Sequence, residues 1–183
     1  MKLAIVVQRY GKAINGGAEL HARYVAEHLA RHAEVEVWTT CASDYVTWRN
    51  ELPAGDERVN NVVVRRFPVK HERVPLVFGR LSERVFNATH SVADELDWLE
   101  SEGPTSPGLI SHITKHAGAF DFCIFFSYRY YHAYHGVRAL RRAMLQLIYN
   151  AGAGHTGGGL SCLDILNVLY NRVLNVSPQT FAS

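Results

Sequence analysis

The first forty residues alternate between short apolar runs and amphipathic stretches. Residues 3–7 are all apolar, as expected for a strand buried on both faces, and residues 18–31 carry apolar side chains at helical spacing. Residues 34–39 are again rich in apolar side chains. This order predicts a strand, a helix and a second, parallel strand joined by a crossover. The helix residues that we expect to face the core are Leu20, Tyr24, Val25 and Leu29.

The pattern continues in the same way as far as residue 126. It predicts, in order, a polar loop over residues 41–60, a strand over 62–67 ended by Pro68, one or two helices over 74–102, a turn over 103–108, a helix over 109–116 begun by Pro107, and a strand over 122–126. Strands that alternate with helices indicate an α/β fold with a Rossmann-like, doubly wound parallel sheet. Such sheets bind ligands at the carboxyl ends of their strands.

Composition narrows the class of protein. The 183 residues are 48% hydrophobic and 20% charged, with a formal net charge of +2, which gives no reason to expect nucleic acid or a membrane surface as a partner. No apolar run is as long as a transmembrane segment, and no leader precedes the first strand, so we expect a cytoplasmic protein. The cysteines, Cys41, Cys123 and Cys162, lack metal-ligand spacing and are too few for a disulfide framework.

Gly16 and Gly17 stand between the first strand and the first helix. Glycine lets the backbone approach a ligand closely, and the unpaired N–H groups of the helix start favour an anion or a hydroxyl-rich ligand. Many α/β proteins use glycine at this place only to turn the chain. Both interpretations stay open at this point.

A second cluster follows the strand over residues 122–126. Residues 127–135 contain four tyrosines, two histidines and Arg129. Tyr128 and His132 have side chains that bind sugar faces and hydroxyls, and Arg129 suits a phosphate or carboxylate. The alternative is an aromatic helix start that packs on the sheet. His132 and His135 share a helical face, but no third ligand accompanies them, so we expect no metal site.

Several motifs together resemble a known family. They lie at residues 2–7, 15–21 (Asn-Gly-Gly-Ala-Glu-Leu-His), 35–40, 66–69, 94–99, 103–107 and 125–132. Over residues 1 to about 138 the chain resembles the N-terminal domain of retaining glycosyltransferases with the two-domain GT-B fold, and in particular one bacterial branch of them. The resemblance implies a nucleotide-sugar donor and a sugar acceptor as ligands.

The resemblance also implies roles for individual residues. It puts Gly16 and Gly17 at the acceptor or donor-diphosphate edge of a cleft, and Tyr128, Arg129 and His132 in the acceptor pocket. Dipoles at a helix N-terminus would stabilise the leaving diphosphate. The family binds the donor chiefly in a C-terminal domain, for which the remaining residues are too few. We therefore expect little or no turnover from this chain alone, and no catalytic residue is assigned.

The last part of the chain breaks the pattern. Residues 144–149 are the end of an amphipathic helix, residues 150–159 form a second glycine-rich loop, and residues 161–173 predict a helix with Ser161 as its N-cap. The sequence thus predicts a short helical hairpin around an anion-friendly loop, with His155 at the loop's centre.

Residues 142–178 resemble the start of the N-terminal, thiamine-diphosphate-binding domain of transketolase. The similar motifs are residues 148–152, 154–158 and 160–166, and Gly159 departs from the small polar residue that is more usual there. The resemblance implies that His155 contacts the cofactor or the substrate, where a pKa near neutrality suits proton transfer. Thiamine diphosphate with Mg²⁺ also needs a Gly-Asp-Gly motif and an asparagine further along, so a complementing chain would be required.

We therefore predict two parts, a glycosyltransferase-like domain over residues 1–140 and a transketolase-like fragment over residues 141–183. Three hypotheses follow: a glycosyltransferase-derived protein, a transketolase fragment that acts beside a complementing chain, and a non-enzymatic binding module or fusion product. Both parts leave apolar faces for something else to cover. One expectation is that the tail helices cover the open side of the first domain.

Overall fold

The computed structural model describes the backbone of residues 1–151 and the side chains of residues 1–142. The strands are β1 (Lys2–Val6), β2 (Glu34–Thr40), β3 (Gly55–Val59), β4 (Val62–Phe67) and β5 (Phe122–Phe125). The helices are α1 (Gly17–Leu29), α2 (Pro75–Asn87), α3 (Val92–Glu102), α4 (Pro107–His116) and α5 (Tyr131–Ala151), with a 3-10 turn at Ala117–Ala119. The predicted α/β fold class is confirmed.

The five strands form one sheet in the order β3-β4-β2-β1-β5. β1 pairs in parallel with β2 on one side and with β5 on the other, and β2 pairs in parallel with β4. From β1 the chain therefore builds outward in one direction and later returns to add β5 on the other side. In Rossmann-like sheets such a reversal opens a crevice at the carboxyl ends of the central strands.

Both faces of the central strands are covered. The side chains of Leu3, Ile5 and Val7 join one core cluster with Ala22 and Ala26 of α1. The alternate residues of β1 point to the other face, where Ala4 and Val6 pack with residues of α4 and α5. This two-sided burial explains why β1 reads as a continuous apolar run rather than as an alternating one.

The predicted loop over residues 41–60 contains a strand. β3 pairs antiparallel with β4 and forms the edge of the sheet. Four of its five residues are exposed, and they include the charged sequence Asp-Glu-Arg, so no apolar pattern marks it. The turn between β3 and β4 is marked in the sequence by the pair Asn60 and Asn61. Both residues have positive φ, +47° and +69°, as a two-residue hairpin turn requires, and asparagine adopts such φ values more often than most residues do.

The inner face of helix α1 differs from the predicted one, and Leu20 is only partly buried. Its fully buried residues are Glu19, Ala22 and Ala26, while Val25 and Leu29 pack at the margin of the core. Tyr24, which we expected in the core, is 59% exposed. Two alanines therefore line the inner face of the helix, and the bulky tyrosine lies outside.

The region over residues 74–102 forms two helices that pack mainly on each other. α3 begins with a capping box in which the Ser91 side chain accepts from the Asp94 N–H and the Asp94 carboxylate accepts from the Ser91 N–H. Trp98 donates to the Ser82 hydroxyl across the helix pair at 2.9 Å. α2 contributes no fully buried residue, so the hairpin stands at the margin of the fold.

Residues Met1–Leu140 form one compact unit, and a second unit begins at Arg141. The second glycine loop, the predicted helix over residues 161–173, and His155 and Cys162 lie outside the described residues. Within the part of the chain that the structure describes, no helix is long and apolar enough to cross a membrane.

Candidate functional site

The candidate site lies at the carboxyl edge of β1 and β5, where the sheet order reverses. The loop after β1 leads into α1, and the segment after β5 leads into α5 through Ser127, whose φ of +66° turns the chain sharply. A positive φ is uncommon for a residue with a side chain, and such conformations are enriched at functional sites. Both predicted clusters are therefore at the same edge of the sheet.

A buried ion pair ties the end of β1 to the first turn of α1. The Arg9 Nε donates to Glu19 Oε1 at 2.8 Å, and the Arg9 Nη2 lies 2.6 Å from the same oxygen. Glu19 is 4% exposed. A third Arg9 nitrogen, Nη1, donates to the Ser43 carbonyl at 2.8 Å. The helix start thus already holds one carboxylate, which its dipole favours and Arg9 neutralises.

Gly16 and Gly17 have different structural roles. Gly16 is the N-cap residue of α1, and a Cβ there would lie 2.1 Å from Glu19 Oε2. Only glycine leaves room for the carboxylate of Glu19. A Cβ on Gly17, by contrast, would meet nothing within 4 Å. Gly17 therefore faces open space at the helix start, where a ligand has access to the backbone.

His132 is completely buried at the start of α5. Its Nε2 donates to the Phe126 carbonyl at 2.9 Å, and its Nδ1 has no hydrogen-bond partner among the described residues. Burial lowers the pKa of His132 to about 4, against the raising effects of the Phe126 carbonyl and the Glu19 carboxylate. The imidazole is neutral at pH 7, with its proton on Nε2 and a free acceptor at Nδ1.

Tyr128 and Arg129 lie in the turn between β5 and α5. Tyr128 is 81% exposed and contributes nothing to the core. The Arg129 Nη2 lies 2.8 Å from Glu102 Oε1, and the Arg129 side chain is 45% exposed. These two residues and His132 belong to one segment but differ in burial. Tyr128 faces solvent, Arg129 is partly exposed and His132 is buried.

Arg73 and Glu102 are functional candidates that the sequence did not single out. Glu102 is 1% exposed at the end of α3, and Arg73 Nη2 donates to its Oε2 at 2.9 Å. Burial raises the pKa of Glu102, which Arg73 and Arg129 oppose. Burial likewise lowers the pKa of Arg73, which Glu102 opposes.

Aromatic rings surround these arginines. The Arg73 guanidinium lies 4.7 Å from the Trp48 ring centre and 5.6 Å from that of Tyr45. Arg9 also lies over both rings, at 5.3 Å from Tyr45 and 5.8 Å from Trp48. Cation–π contacts of this kind hold guanidinium groups in place while they keep their charge. The loop after β2 therefore links the Arg9–Glu19 pair to the Arg73–Glu102 pair.

Two sequence signals were present for these groups. Glu19 stands two residues after the glycine pair, at helical spacing from Ala22 and Ala26, and a carboxylate that is buried on such a small-residue face needs a cation. Trp48 stands in a polar loop, where a large ring has to find a packing partner. Arg73 and Glu102 are far apart in the sequence, and no sequence pattern indicates that the fold pairs them.

The described residues contain no cluster of three metal-ligating side chains. His132 uses its Nε2 on a backbone carbonyl, and His135 Nε2 lies 3.6 Å from the carboxylate of Glu100. The edge instead offers neutral and cationic donors: backbone N–H groups at Gly17, a guanidinium at Arg129 and phenol groups beside it. Such groups bind and orient polar ligands, and no nucleophile paired with a base lies among them.

Comparison with known proteins gives one short match, in the tail region. The chain is 45% identical over 39 residues to an apulose-4-phosphate transketolase subunit of Phocaeicola vulgatus. The match covers 21% of this chain and 14% of that protein, so the chain spans only a small part of the length of this curated relative. No family model and no solved structure matches the chain.

Proposed function

We propose that residues 1–140 form the acceptor-side domain of a glycosyltransferase, which transfers a sugar from a nucleotide-sugar donor to an acceptor. The observation that carries the proposal is the joint position of Gly17, His132 and Arg129 at one carboxyl edge of a Rossmann-like sheet. The motif resemblance over residues 1 to about 138 supports it as well. No catalytic residue is assigned, because no nucleophile paired with a base lies among the groups described at this edge.

The chemistry of the edge suits a saccharide or a diphosphate. Backbone N–H groups at the start of α1 are donors for hydroxyl or phosphate oxygens. Gly16 keeps the Glu19 carboxylate in place beside them, and Arg9 cancels its charge. The Nδ1 of His132 is an unpartnered acceptor inside the fold at this edge. The proposed roles of Tyr128 and Arg129 are to contact the acceptor.

Binding tests this proposal without requiring turnover. Saturation-transfer NMR would be recorded with UDP-glucose, GDP-mannose and a panel of simple sugars on the complete chain. We expect binding that Gly17→Asp weakens by at least about tenfold, because a new carboxylate at the open helix start repels phosphate and blocks the backbone. Gly79→Asp on α2 is the control, since a Cβ there also meets nothing within 4 Å.

Loss of binding in both variants, or no binding to any probe by the unmodified chain, would contradict the proposal. Incorporation of labelled sugar from the same donors is the corresponding activity assay. Its outcome separates a catalytically competent chain from a binding module without turnover, which is the non-enzymatic alternative.

A second candidate function rests on the short match in the tail. We propose that residues 141–183 derive from the thiamine-diphosphate-binding domain of a transketolase and need a complementing chain for ketol transfer. The 45% identity over 39 residues supports this, as does the relative's name, which describes one subunit of an enzyme. His155 would contact the cofactor or substrate. Calorimetry with thiamine diphosphate and Mg²⁺, with and without a complementing transketolase chain, tests it, and no heat in either case contradicts it.

A further inference from the structure

Glu102 is shared by two arginines at the edge of the candidate site. Arg73 Nη2 donates to its Oε2 at 2.9 Å, and Arg129 Nη2 lies 2.8 Å from its Oε1. The side chains are 6% exposed at Arg73, 1% at Glu102 and 45% at Arg129. Glu102 thus contacts one buried arginine and one surface arginine. This Arg73–Glu102–Arg129 cluster has two positive charges and one negative charge, so one positive charge is uncompensated.

The inner two groups are held in place by further hydrogen bonds. Arg73 Nε and Nη2 both donate to the Glu102 carbonyl, at 3.1 and 2.6 Å, and Arg73 Nη1 donates to the Tyr45 carbonyl at 3.2 Å. Trp48 Nε1 donates to the same Glu102 carbonyl at 2.6 Å. Arg73 and Glu102 are therefore fixed by the surrounding backbone, and neither has room to take a ligand.

Arg129 is in a different position. One of its nitrogens contacts Glu102, and its guanidinium lies 5.7 Å from the ring centres of both Trp98 and Tyr130. These contacts hold the group at the surface, and the guanidinium has more N–H donors than the contact with Glu102 uses. The uncompensated charge of the cluster reaches solvent only here, at the residue that follows the exposed Tyr128 in the sequence.

Partly buried cations of this kind favour an anion. Excess positive charge in a half-buried, aromatic environment is costly, and a bound carboxylate or phosphate offsets that cost through short, charge-assisted hydrogen bonds. A planar guanidinium takes such a group in bidentate fashion. An adjacent tyrosine ring packs against the apolar face of a sugar.

We propose that Arg129, with Tyr128, is a specificity-determining subsite for an anionic group, carboxylate or phosphate, on the saccharide acceptor. This inference rests on the proposed function and adds the substrate class: an acidic or phosphorylated sugar. Glu102 and Arg73 act as positioning residues, because they fix the guanidinium of Arg129 and do not contact the ligand.

The experiment compares matched sugars on the complete chain. Glucose, glucuronate and glucose 6-phosphate would be titrated, with tryptophan fluorescence and calorimetry as readouts, since Trp98 lies beside Arg129. We expect both anionic sugars to bind about 10-fold or more tightly than glucose, as charge-assisted hydrogen bonds imply. Arg129→Gln should abolish that preference. Arg138→Gln, which removes an exposed arginine of α5 that contacts Tyr134, should retain it.

The possible outcomes of these titrations support or overturn the subsite as follows. Preference for both anionic sugars that disappears in Arg129→Gln supports the subsite, and preference for only one of them identifies carboxylate or phosphate as its group. Equal binding of glucose and the anionic sugars overturns this inference and leaves the proposed function standing. If none of these sugars binds, this inference falls, and the proposed function then depends on the nucleotide-sugar binding described above. Equal losses in Arg129→Gln and Arg138→Gln indicate general electrostatic attraction and overturn the subsite.

Arg129→Gln leaves Glu102 with only Arg73 as a partner, so its folding requires a check by circular dichroism. If that variant does not fold, Arg129→Lys provides the test, since it keeps the charge next to Glu102 but loses the bidentate geometry. We then expect a reduced preference for the anionic sugars in Arg129→Lys. An unchanged preference would overturn the bidentate subsite.

Discussion

Adjacent residues at the start of α1 differ in what they tolerate. Gly16 is close to the carboxylate of Glu19, while Gly17 has open space around the position of a Cβ. Sequence alone marks both as a glycine pair. The structure separates a glycine required by packing from one whose backbone is accessible to a ligand.

We expect Gly16→Ala to lower the free energy of unfolding by about 1 to 3 kcal/mol, because the new methyl group displaces Glu19 from Arg9 in a buried pair. Gly17→Ala is the control and should be neutral or slightly stabilising, since alanine is a better helix former than glycine. Urea unfolding of both variants measures the difference. Equal stability of the two would show that the Arg9–Glu19 pair adjusts without cost.

The buried histidine predicts a dependence of stability on pH. The pKa of His132 is about 4 in the folded chain and near 6.5 in an unfolded one. Between these values the unfolded chain binds a proton that the folded chain does not. The free energy of unfolding is therefore highest above about pH 6.5 and falls as the pH is lowered towards 4. Burial lowers the pKa of His112 to about 4 too, so it contributes in the same direction.

His132→Gln should reduce this pH dependence, since glutamine keeps an N–H donor for the Phe126 carbonyl but does not titrate. We expect the loss of stability between pH 7 and pH 5 to shrink by on the order of 1 to 2 kcal/mol. His71→Gln, at an exposed position, controls for the change of residue type. Urea unfolding at several pH values measures it. An unaltered slope in His132→Gln would mean that His132 is not neutral and buried in solution.

At the scale of elements, two helical glycines make a matched pair. A Cβ at Gly136 of α5 would lie 2.5 Å from Phe125 Cε1 and 3.1 Å from Ile113 Cδ1. A Cβ at Gly79 of α2 would meet nothing within 4 Å. Gly136 thus lets α5 approach β5 and α4, while Gly79 is a surface position of the α2–α3 hairpin.

We expect opposite signs from the same substitution. Gly136→Ala should destabilise the fold by about 1 to 3 kcal/mol through overpacking against Phe125. Gly79→Ala should stabilise it by up to about 1 kcal/mol, since alanine has the higher helix propensity. Thermal and urea unfolding of the two variants provide the measurement. Stabilisation by both would mean that α5 does not pack closely on β5.

How far the sequence predicts the elements depends on burial. β1, which is buried on both faces, is marked by a continuous apolar run, and β4, which alternates between buried and partly exposed residues, by its valines. The strand predicted over residues 62–67 coincides with β4. The edge strand β3 is charged, and its partners Arg65 and Arg66 pair with its carboxylates, so hydrophobic periodicity does not reveal it. Edge strands commonly carry such charges because they avoid pairing with other chains.

The candidate site was predictable to the level of segments but not of contacts. The glycine pair and the segment at residues 127–135 each follow a predicted parallel strand, and such connections lie at the carboxyl edge of the sheet. Glu102 and Arg73 come from distant segments. The pairing of Glu102 with Arg73 and with Arg129 follows only from the packing of α3 and the loop after β4. Which of three neighbouring side chains is buried depends on the turn at Ser127, which sequence does not show.

At the scale of the whole molecule, the core clusters of the described residues lie within the unit Met1–Leu140. They use both faces of the sheet and the inner faces of α1 and α4. A unit with its own core on both sides of its sheet is expected to fold by itself. The competing expectation, drawn from the sequence, is that the tail covers an open side of this unit.

A chain that ends after Ala151 separates these expectations. We expect it to be monomeric and to unfold at the same urea concentration and with the same m-value as the 183-residue chain, since m follows the surface exposed by the cooperative unit. Size-exclusion chromatography and urea unfolding followed by Trp38, which is fully buried in this core, measure both. The control is the complete chain with Leu166→Ser, which alters the predicted tail helix without removing residues. A lower midpoint in both the shortened chain and Leu166→Ser would show that the tail stabilises the unit, and the self-contained core would then be wrong.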